Sequence, residues 1–451
     1  MKTDPTLEAL IDQAMQETRQ KMLRELADLD LPHATLDQIE EAVERVGTEL
    51  QRSLQRRLVT ERTRGPRDNT LACPCGGRAR YRKQETRRLT TRHGDLSLSR
   101  SYYYCDACHQ SQVPLDQALG LDAGTTTTQV RLWIADLVAH CSFLDATALL
   151  ARLTCVRLGA STVERTGVAV GAALRQAQRQ AAARHLAGQG PAVAQKPQRL
   201  YISLDGTMTP LREPWKKDGS AGRLLCRYGE CKTAVVYTPR PGKEGDEGAA
   251  GRAYTATLED VSQFARLVAT LAHQEGHHFA RELVVLADGS PWIWNLAAAQ
   301  FPTALQILDF FHASQHLFAL AHSFLGEGTS QAKEWVSARQ AELKEDQVGA
   351  VLEAIGEFVP ETGEQAKQQA TEAGYFANNA ERMRYGTFRR KGYQIGSGVM
   401  EASCKQVVHE RLDEAGMHWR AETAEAVVAL RAALLSTRPP DLRPYCRMPH
   451  P

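Results

Sequence analysis

Three carboxylates frame the chemistry open to this sequence. Asp205 follows the apolar run Leu200-Tyr201-Ile202-Ser203-Leu204, and Asp288 follows Leu283-Val284-Val285-Leu286-Ala287. Glu401 stands in the stretch Ile395-Gly-Ser-Gly-Val-Met-Glu401. Hard oxygen donors suit Mg²⁺ or Mn²⁺ rather than zinc. Two such ions about 4 Å apart can activate an attacking oxygen and stabilise a leaving one in an in-line phosphoryl displacement. With water as nucleophile such a site nicks DNA; with a DNA 3′-hydroxyl it joins strands. Asp309 and His312, which close the run Ala304-Leu305-Gln306-Ile307-Leu308, are placed to orient a substrate or ligand. A single strand-end Asp is also an ordinary turn residue, so the weight rests on the combination.

The second set of ligands is sulfur. Cys73-Pro-Cys75 and Cys105-Asp-Ala-Cys108 are two close pairs, separated by strand-like segments at 86–91 and 96–104. Pairs on turns at the ends of β-hairpins present four thiolates tetrahedrally to a structural zinc ion, leaving no place for a catalytic water. The first pair is tighter than usual, so His93 and His109 stand as alternative ligands for one place. Tyr102-Tyr103-Tyr104 reads as hairpin core, with stacking on a base or sugar as the other reading.

These ligands need elements to position them. A chain of 451 residues, 43% hydrophobic, allows about three domains. Net charge is only +2, but basic residues crowd the stretch 52–100: Arg56, Arg57, Arg62, Arg64, Arg67, Arg78, Arg80, Arg82, Lys83, Arg87, Arg88 and Arg92. A local basic stripe is the footprint of a polyanion-binding face. Nothing reads as a signal peptide or a membrane span, and ten unevenly spaced cysteines suit a reducing cytoplasm.

Residues 6–63 read as two or three amphipathic helices with a local core, or with a second copy as partner. Residues 128–174 read as a helical pair whose second helix opens on a capping box, Ser161 with Glu164. Behind a basic ribbon this is a helix-turn-helix, with Ser161, Thr162 and Arg165 near the start of its reading helix. Residues 188–191 read as a linker. Strands at 200–204, 232–239 and 252–257, a helix at 261–274, a strand to Asp288, a helix and a strand to Asp309 give the order of a ribonuclease H-like α/β core. Residues 242–251 read as a mobile loop, and residues 330–389 as long, polar and helical. Trp294 and Trp335 stack on DNA ends or, as is more usual, fill cores.

Leu204-Asp205-Gly206-Thr207, Asp288-Gly-x-x-Trp292-Ile-Trp294, Asp309-x-x-His312, Gly396-Ser-Gly-x-x-Glu401-x-x-Cys404-Lys405 and Gly416-Met-x-Trp419 together resemble insertion-sequence DDE transposases of prokaryotes. The nearest group is Kra, related to the Mutator-like superfamily. The resemblance implies that Asp205, Asp288 and Glu401 hold two Mg²⁺ or Mn²⁺ ions, and that Asp309 and His312 fill the motif between the second and third acids. It implies an all-α insertion over 329–394 and phosphate contacts from Lys405 and Arg411. Domains are then expected at 1–65 (helical), 66–120 (zinc ribbon), 121–190 (helix-turn-helix), 198–328 (core), 329–394 (insertion) and 395–438 (final core helix). The implied enzyme cleaves and transfers DNA strands in the cytoplasm at the nucleoid, acting on duplex transposon ends and target as a homodimer or larger assembly. Two rivals remain: a catalytically silent DNA-binding derivative, and a structure-selective nuclease that never joins. Two positions depart from the pattern, the tight Cys73-x-Cys75 pair and Asp413-Glu414, where basic residues would face DNA.

Overall fold

The computed structural model describes residues 5–27, 29–62, 68–212, 226–240 and 248–447. The chain divides into two compact units, Met1–Val170 with Leu442–Pro451, and Gly171–Asp441.

In the first unit, helices α1 (Pro5–Ala27) and α2 (Leu36–Arg62) pair antiparallel, tied by Lys21 to Glu49 and Arg57 to Glu17. Small Ala14 and Ala42 are buried in this unit, while Leu7, Ile11, Met15 and Val43 stay 42–62% exposed. The expected local core is therefore thin, and an apolar stripe remains at the surface. Strands β1 (Thr70–Ala72), β2 (Arg78–Thr91), β3 (Gly94–Cys105) and β4 (Ser111–Gln112) form an antiparallel sheet in that order. The expected strands at 86–91 and 96–104 lie within the long β2–β3 hairpin, which buries Leu89, Leu96 and Leu98 with Val59 of α2 packed against them. Such full burial contributes about 1.5–3 kcal/mol per side chain.

Helices α3 (Pro114–Ala118), α4 (Thr128–His140), α5 (Phe143–Leu153) and α6 (Ala160–Leu186) follow. The expected capping box is not formed. Helix α6 starts at Ala160, with Thr162 N and Val163 N donating to Gly159 O, so Ser161 already lies inside the first turn. The two units meet in sequence inside α6, not at the linker read at 188–191. Near the end of the chain, Leu442–Cys446 belongs to the first unit, where buried Arg131 donates to Cys446 O.

The second unit is built on β5 (Arg199–Arg212), β6 (Cys226–Pro239), β7 (Ala249–Thr257), α7 (Val261–Gln274), β8 (Glu282–Ala287), α8 (Pro291–Gln300) and β9 (Leu305–Leu308), the element order expected from sequence. The sheet runs β7-β6-β5-β8-β9, antiparallel across the first three strands and parallel across β5, β8 and β9. β8 and β9 are short, and their last residues are buried, as apolar runs without alternation should be. Strand β5 outruns the expected 200–204. Most of the loop read at 242–251 lies outside the described residues, and its last three positions belong to β7.

Helices α9 (Phe310–Leu325), α10 (Ser330–Lys344), α11 (Val348–Gly356), α12 (Gly363–Asn379) and α13 (Tyr385–Arg390) bear out the helical reading of 330–389. Trp294 is buried beneath Arg382 at 4.5 Å and is a core residue, whereas Trp335 is half-buried and packs against Phe358 at 5.1 Å. Helix α14 (Gly398–Cys404) runs through a π turn at Lys405–His409 into α15 (Glu410–Leu412). A separate buried helix, α16 (Ala421–Leu435), packs on β7 and carries Glu425, which accepts from Thr257 Oγ1 and Leu258 N at 2.7 Å and pairs with Arg175 at 2.6 Å. The region read at 395–438 thus holds two helical segments, divided around Gly416–Trp419. Among the described residues no helix is long and apolar enough to cross a membrane.

Candidate active site and metal centre

Strand register brings three of the acids into line. β5 pairs with β8 through Ile202 and Val285, and β8 with β9 through Ala287 and Leu308. Continued by three residues and by one, these registers set Asp205 level with Asp288, and Asp288 level with Asp309. β8 has ended by Asp288, so β5 at Asp205 keeps β6 on one side and is open on the other. That opening is the carboxyl edge of the parallel strands, where α/β sheets hold ligands.

Asp205, Asp288, Asp309, His312, Glu401 and Lys405 all line one cleft of about 700 Å³. Each acid is held differently. Asp205 accepts from Gly206 N at 2.7 Å and from the Cys404 thiol at 3.3 Å. Burial pushes its carboxyl above the ordinary range, and the Asp288 charge adds to this. Asp288 accepts from Ser290 N at 2.9 Å and Ser290 Oγ at 3.0 Å in the turn into α8. Asp309 is the N-cap of α9, accepting from Phe311 N at 2.8 Å and from Ser397 Oγ. Only 2% of its side chain is exposed, with His312 Nε2 4.0 Å away, so it braces the site rather than offering free oxygens. Glu401 is exposed on α14, one turn before Lys405, and the π turn follows it directly. π-bulges recur at functional sites because they re-aim the side chains beside them.

Four contributors carry no role at the acids in the sequence reading. Ser397 and Ser290 are hydrogen-bond donors to the acids, and Cys404, seen only as part of a motif, is the thiol on Asp205. Tyr375 arrives from α12. A Cβ on Gly289 would lie 2.1 Å from its ring, so only glycine fits beside Asp288. The Tyr375 hydroxyl is buried without a hydrogen-bond partner, and burial pushes its pKa up, with the Asp288 and Asp309 charges adding to the shift. Ser397, Cys404 and Tyr375 come from more than 80 positions away and no local signal marks them, whereas Ser290 bonds an acid only two residues before it.

The sulfur set is closed. Among the described residues Cys73, Cys75, Cys105 and Cys108 form the one group of three or more ligand side chains whose donor atoms lie within 4.8 Å of one another. Cys73 and Cys108 sulfurs are 3.5 Å apart, and those of Cys75 and Cys105 3.7 Å. A tetrahedron with Zn–S bonds near 2.3 Å has edges of roughly 3.8 Å. The four thiols can therefore hold zinc, and neither alternative histidine is needed. His109 bonds Tyr104 instead, and Arg52 Nε donates to the carbonyl of His93. Gly76, at φ +84°, makes the short first turn possible. Backbone N–H groups of Cys108 and Ala107 lower the Cys105 thiol to about 7, against the opposing effect of burial.

The model of the uncharacterised protein family UPF0236 matches residues 36–438. The chain belongs to that family. The match spans α2 to α16 and so covers both ligand sets. No curated protein matches the chain.

Basic residues separate into exposed and structural ones. Arg78, Arg80, Arg82, Lys83 and Arg88 are exposed on β2, which carries a bulge between Tyr81 and Lys83. Arg82 pairs with Asp106 at 2.5 Å and Lys83 with Glu85 at 2.7 Å. Arg87 falls on the inward side and is spent on Asp116 and the carbonyls of Asp122 and Gly124. It is a structural residue, not a polyanion contact. Arg411 is corrected likewise: it is 1% exposed and lies 4.8 Å from the Trp419 ring. Trp419 in turn donates its indole N–H to Leu412 O, and its backbone binds β5 at Pro210 and Arg212. Ser161 and Arg165 are exposed at the start of α6, Thr162 is half-buried, and Tyr103 of the tyrosine run is core. Arg64 and Arg67 lie outside the described residues.

Proposed function

We propose that the protein is a DDE transposase of the insertion-sequence kind, resembling the Kra group, with a ribonuclease H-like core interrupted by the helices of 329–394. The observation that carries this reading is the register of β5, β8 and β9, which levels Asp205, Asp288 and Asp309 beneath a cleft that Glu401 also lines. Asp205, Asp288 and Glu401 would hold two Mg²⁺ or Mn²⁺ ions. The fit is supported by an all-oxygen donor set and by an Asp205 carboxyl whose charge is disfavoured until a cation compensates it. Three carboxylates that straddle two ions need not lie within 4.8 Å of one another. Bound there, the ions would activate the attacking oxygen and stabilise the leaving one.

The chain's own residues act around that centre. Cys404 and Ser290 fix the rotamers of Asp205 and Asp288, Asp309 with Ser397 anchors the start of α9 against the entry of α14, Lys405 gives the cleft positive charge for a phosphodiester, and His312 offers it a hydrogen-bonding imidazole. The first unit, with its zinc-type thiols and exposed α6 start, would bind the element's ends in an assembly of at least two copies. Labelled duplexes carrying the element's ends test the reading, with Mg²⁺ or Mn²⁺ present. Wild type should cleave and join strands, while Asp288→Ala and Glu401→Ala bind DNA and do neither. Cleavage without any joined product would favour a nuclease, and binding alone a silent DNA-binding protein.

A further inference from the structure

A second cleft, of about 710 Å³, lies wholly within the first unit. Its walls come from α1, α2, the tip of the β2–β3 hairpin, α4, and the end of α5 with the turn into α6. Lys21, Arg24, Arg45, Arg92, Arg152 and Arg157 line it, all exposed, against the carboxylates of Glu44 and Glu49. Glu49 is already engaged by Lys21 and, at 3.5 Å, by Arg52. Arg52 also donates to His93 O, which fixes the hairpin tip that carries Arg92. Arg24, Arg92 and Arg152 make no ion pair among the described residues, although they come from three separate elements. Uncompensated cations in a concave, low-dielectric wall focus positive potential into the groove.

We propose that this groove holds the sugar–phosphate backbone of duplex DNA. The inference rests on the preceding reading only in taking DNA as the polyanion; the residues, the unit and the kind of contact are new. Arginine forks match phosphate oxygens, and their supply from several elements suits a backbone followed over some length rather than a single anion. Trp133, half-buried, adds an aromatic surface to the same groove. Arg157 precedes the first residue of α6 by only three positions, so phosphates held here would fix how the exposed Ser161 and Arg165 meet the bases. Contacts of this class set register and carry no sequence information themselves. Of the predicted stripe on β2, Arg82 and Lys83 are already paired and Arg87 is structural, which leaves Arg78, Arg80 and Arg88 exposed beside the groove's set.

The test is fluorescence anisotropy of the full chain on a labelled duplex lacking the element's ends, read across a salt series. Three forms are compared: wild type, Arg24→Ala/Arg92→Ala/Arg152→Ala, and the same three sites changed to Lys. The alanine triple should lose at least about tenfold in affinity, and its salt slope should fall by roughly three units, about 0.9 for each phosphate no longer neutralised. The lysine triple should keep most of that slope. An alanine triple with wild-type affinity and slope overturns the proposal. So does displacement of the duplex by polyglutamate at equal charge, or a fall of equal size for an RNA duplex. Failure of the groove is separable from failure of the transposase reading. Cleavage with an unaffected alanine triple sinks the groove alone, whereas groove-dependent binding by a chain that never cleaves sinks the transposase alone.

Discussion

The two units each carry a set of metal-type ligands, and the chain assembles the two sets in opposite ways. Cys73, Cys75, Cys105 and Cys108 sit on two tight turns joined by one hairpin, their sulfurs already within 4.8 Å. Asp205, Asp288 and Glu401 come from positions almost two hundred residues apart and meet only through strand register and the crossing of α14. The first set is filled by protein alone, with no room for substrate. The second lines a 700 Å³ cleft without closing on itself. A closed thiolate set puts its binding energy into folding, whereas an open carboxylate set keeps it for a reacting phosphate. Removing one set should therefore cost structure, and removing the other activity.

The largest effect should be on catalysis. Asp288→Ala or Glu401→Ala is expected to lower cleavage by about a hundred- to a thousandfold, as removal of a main electrostatic stabiliser does, with duplex binding and thermal midpoint little changed. A variant that unfolds would erase the contrast between the sites. Next comes Cys105→Ser, which should lose zinc by elemental analysis and destabilise the first unit by several kcal/mol. Hydrogen exchange across β5–β9 should stay as in wild type; a loss of protection there would undo the contrast from the other side.

Ser397→Ala leaves one oxygen of the buried Asp309 unpaired and should cost about 1–3 kcal/mol, read from chemical denaturation. Smallest is Asp205→Asn. Burial disfavours the Asp205 charge, so the charged form is a penalty that falling pH relieves as it passes through the raised pKa. The amide carries no such penalty and should raise the thermal midpoint slightly without divalent ions. It should also abolish the rise that Mn²⁺ gives wild type.

The same contrast governs what could be read from the residues. Two close cysteine pairs state their purpose locally, and only the tightness of Cys73-x-Cys75 left the fourth ligand open. The apolar runs before Asp205, Asp288 and Asp309 are local too, and the order of strands and helices followed from them. Partners were not legible, because pairing of Ser397 with Asp309, Cys404 with Asp205 and Tyr375 with Gly289 depends on tertiary packing. Arg87 and Arg411 show the same limit from the other direction. An arginine's charge is visible in sequence, but the Asp116 carboxylate and loop carbonyls that hold Arg87 and the Trp419 ring that covers Arg411 are not. Ser161 and Glu164 had cap spacing, yet the helix began one residue earlier, on Gly159 O.

Whether the three acids hold metal can be seen crystallographically, by anomalous scattering from crystals soaked in Mn²⁺, for wild type and for Asp205→Asn/Glu401→Gln. Two manganese peaks about 4 Å apart are expected among Asp205, Asp288 and Glu401, both absent from the variant. An empty cleft, or ions bound without these three carboxylates, would refute the two-metal site.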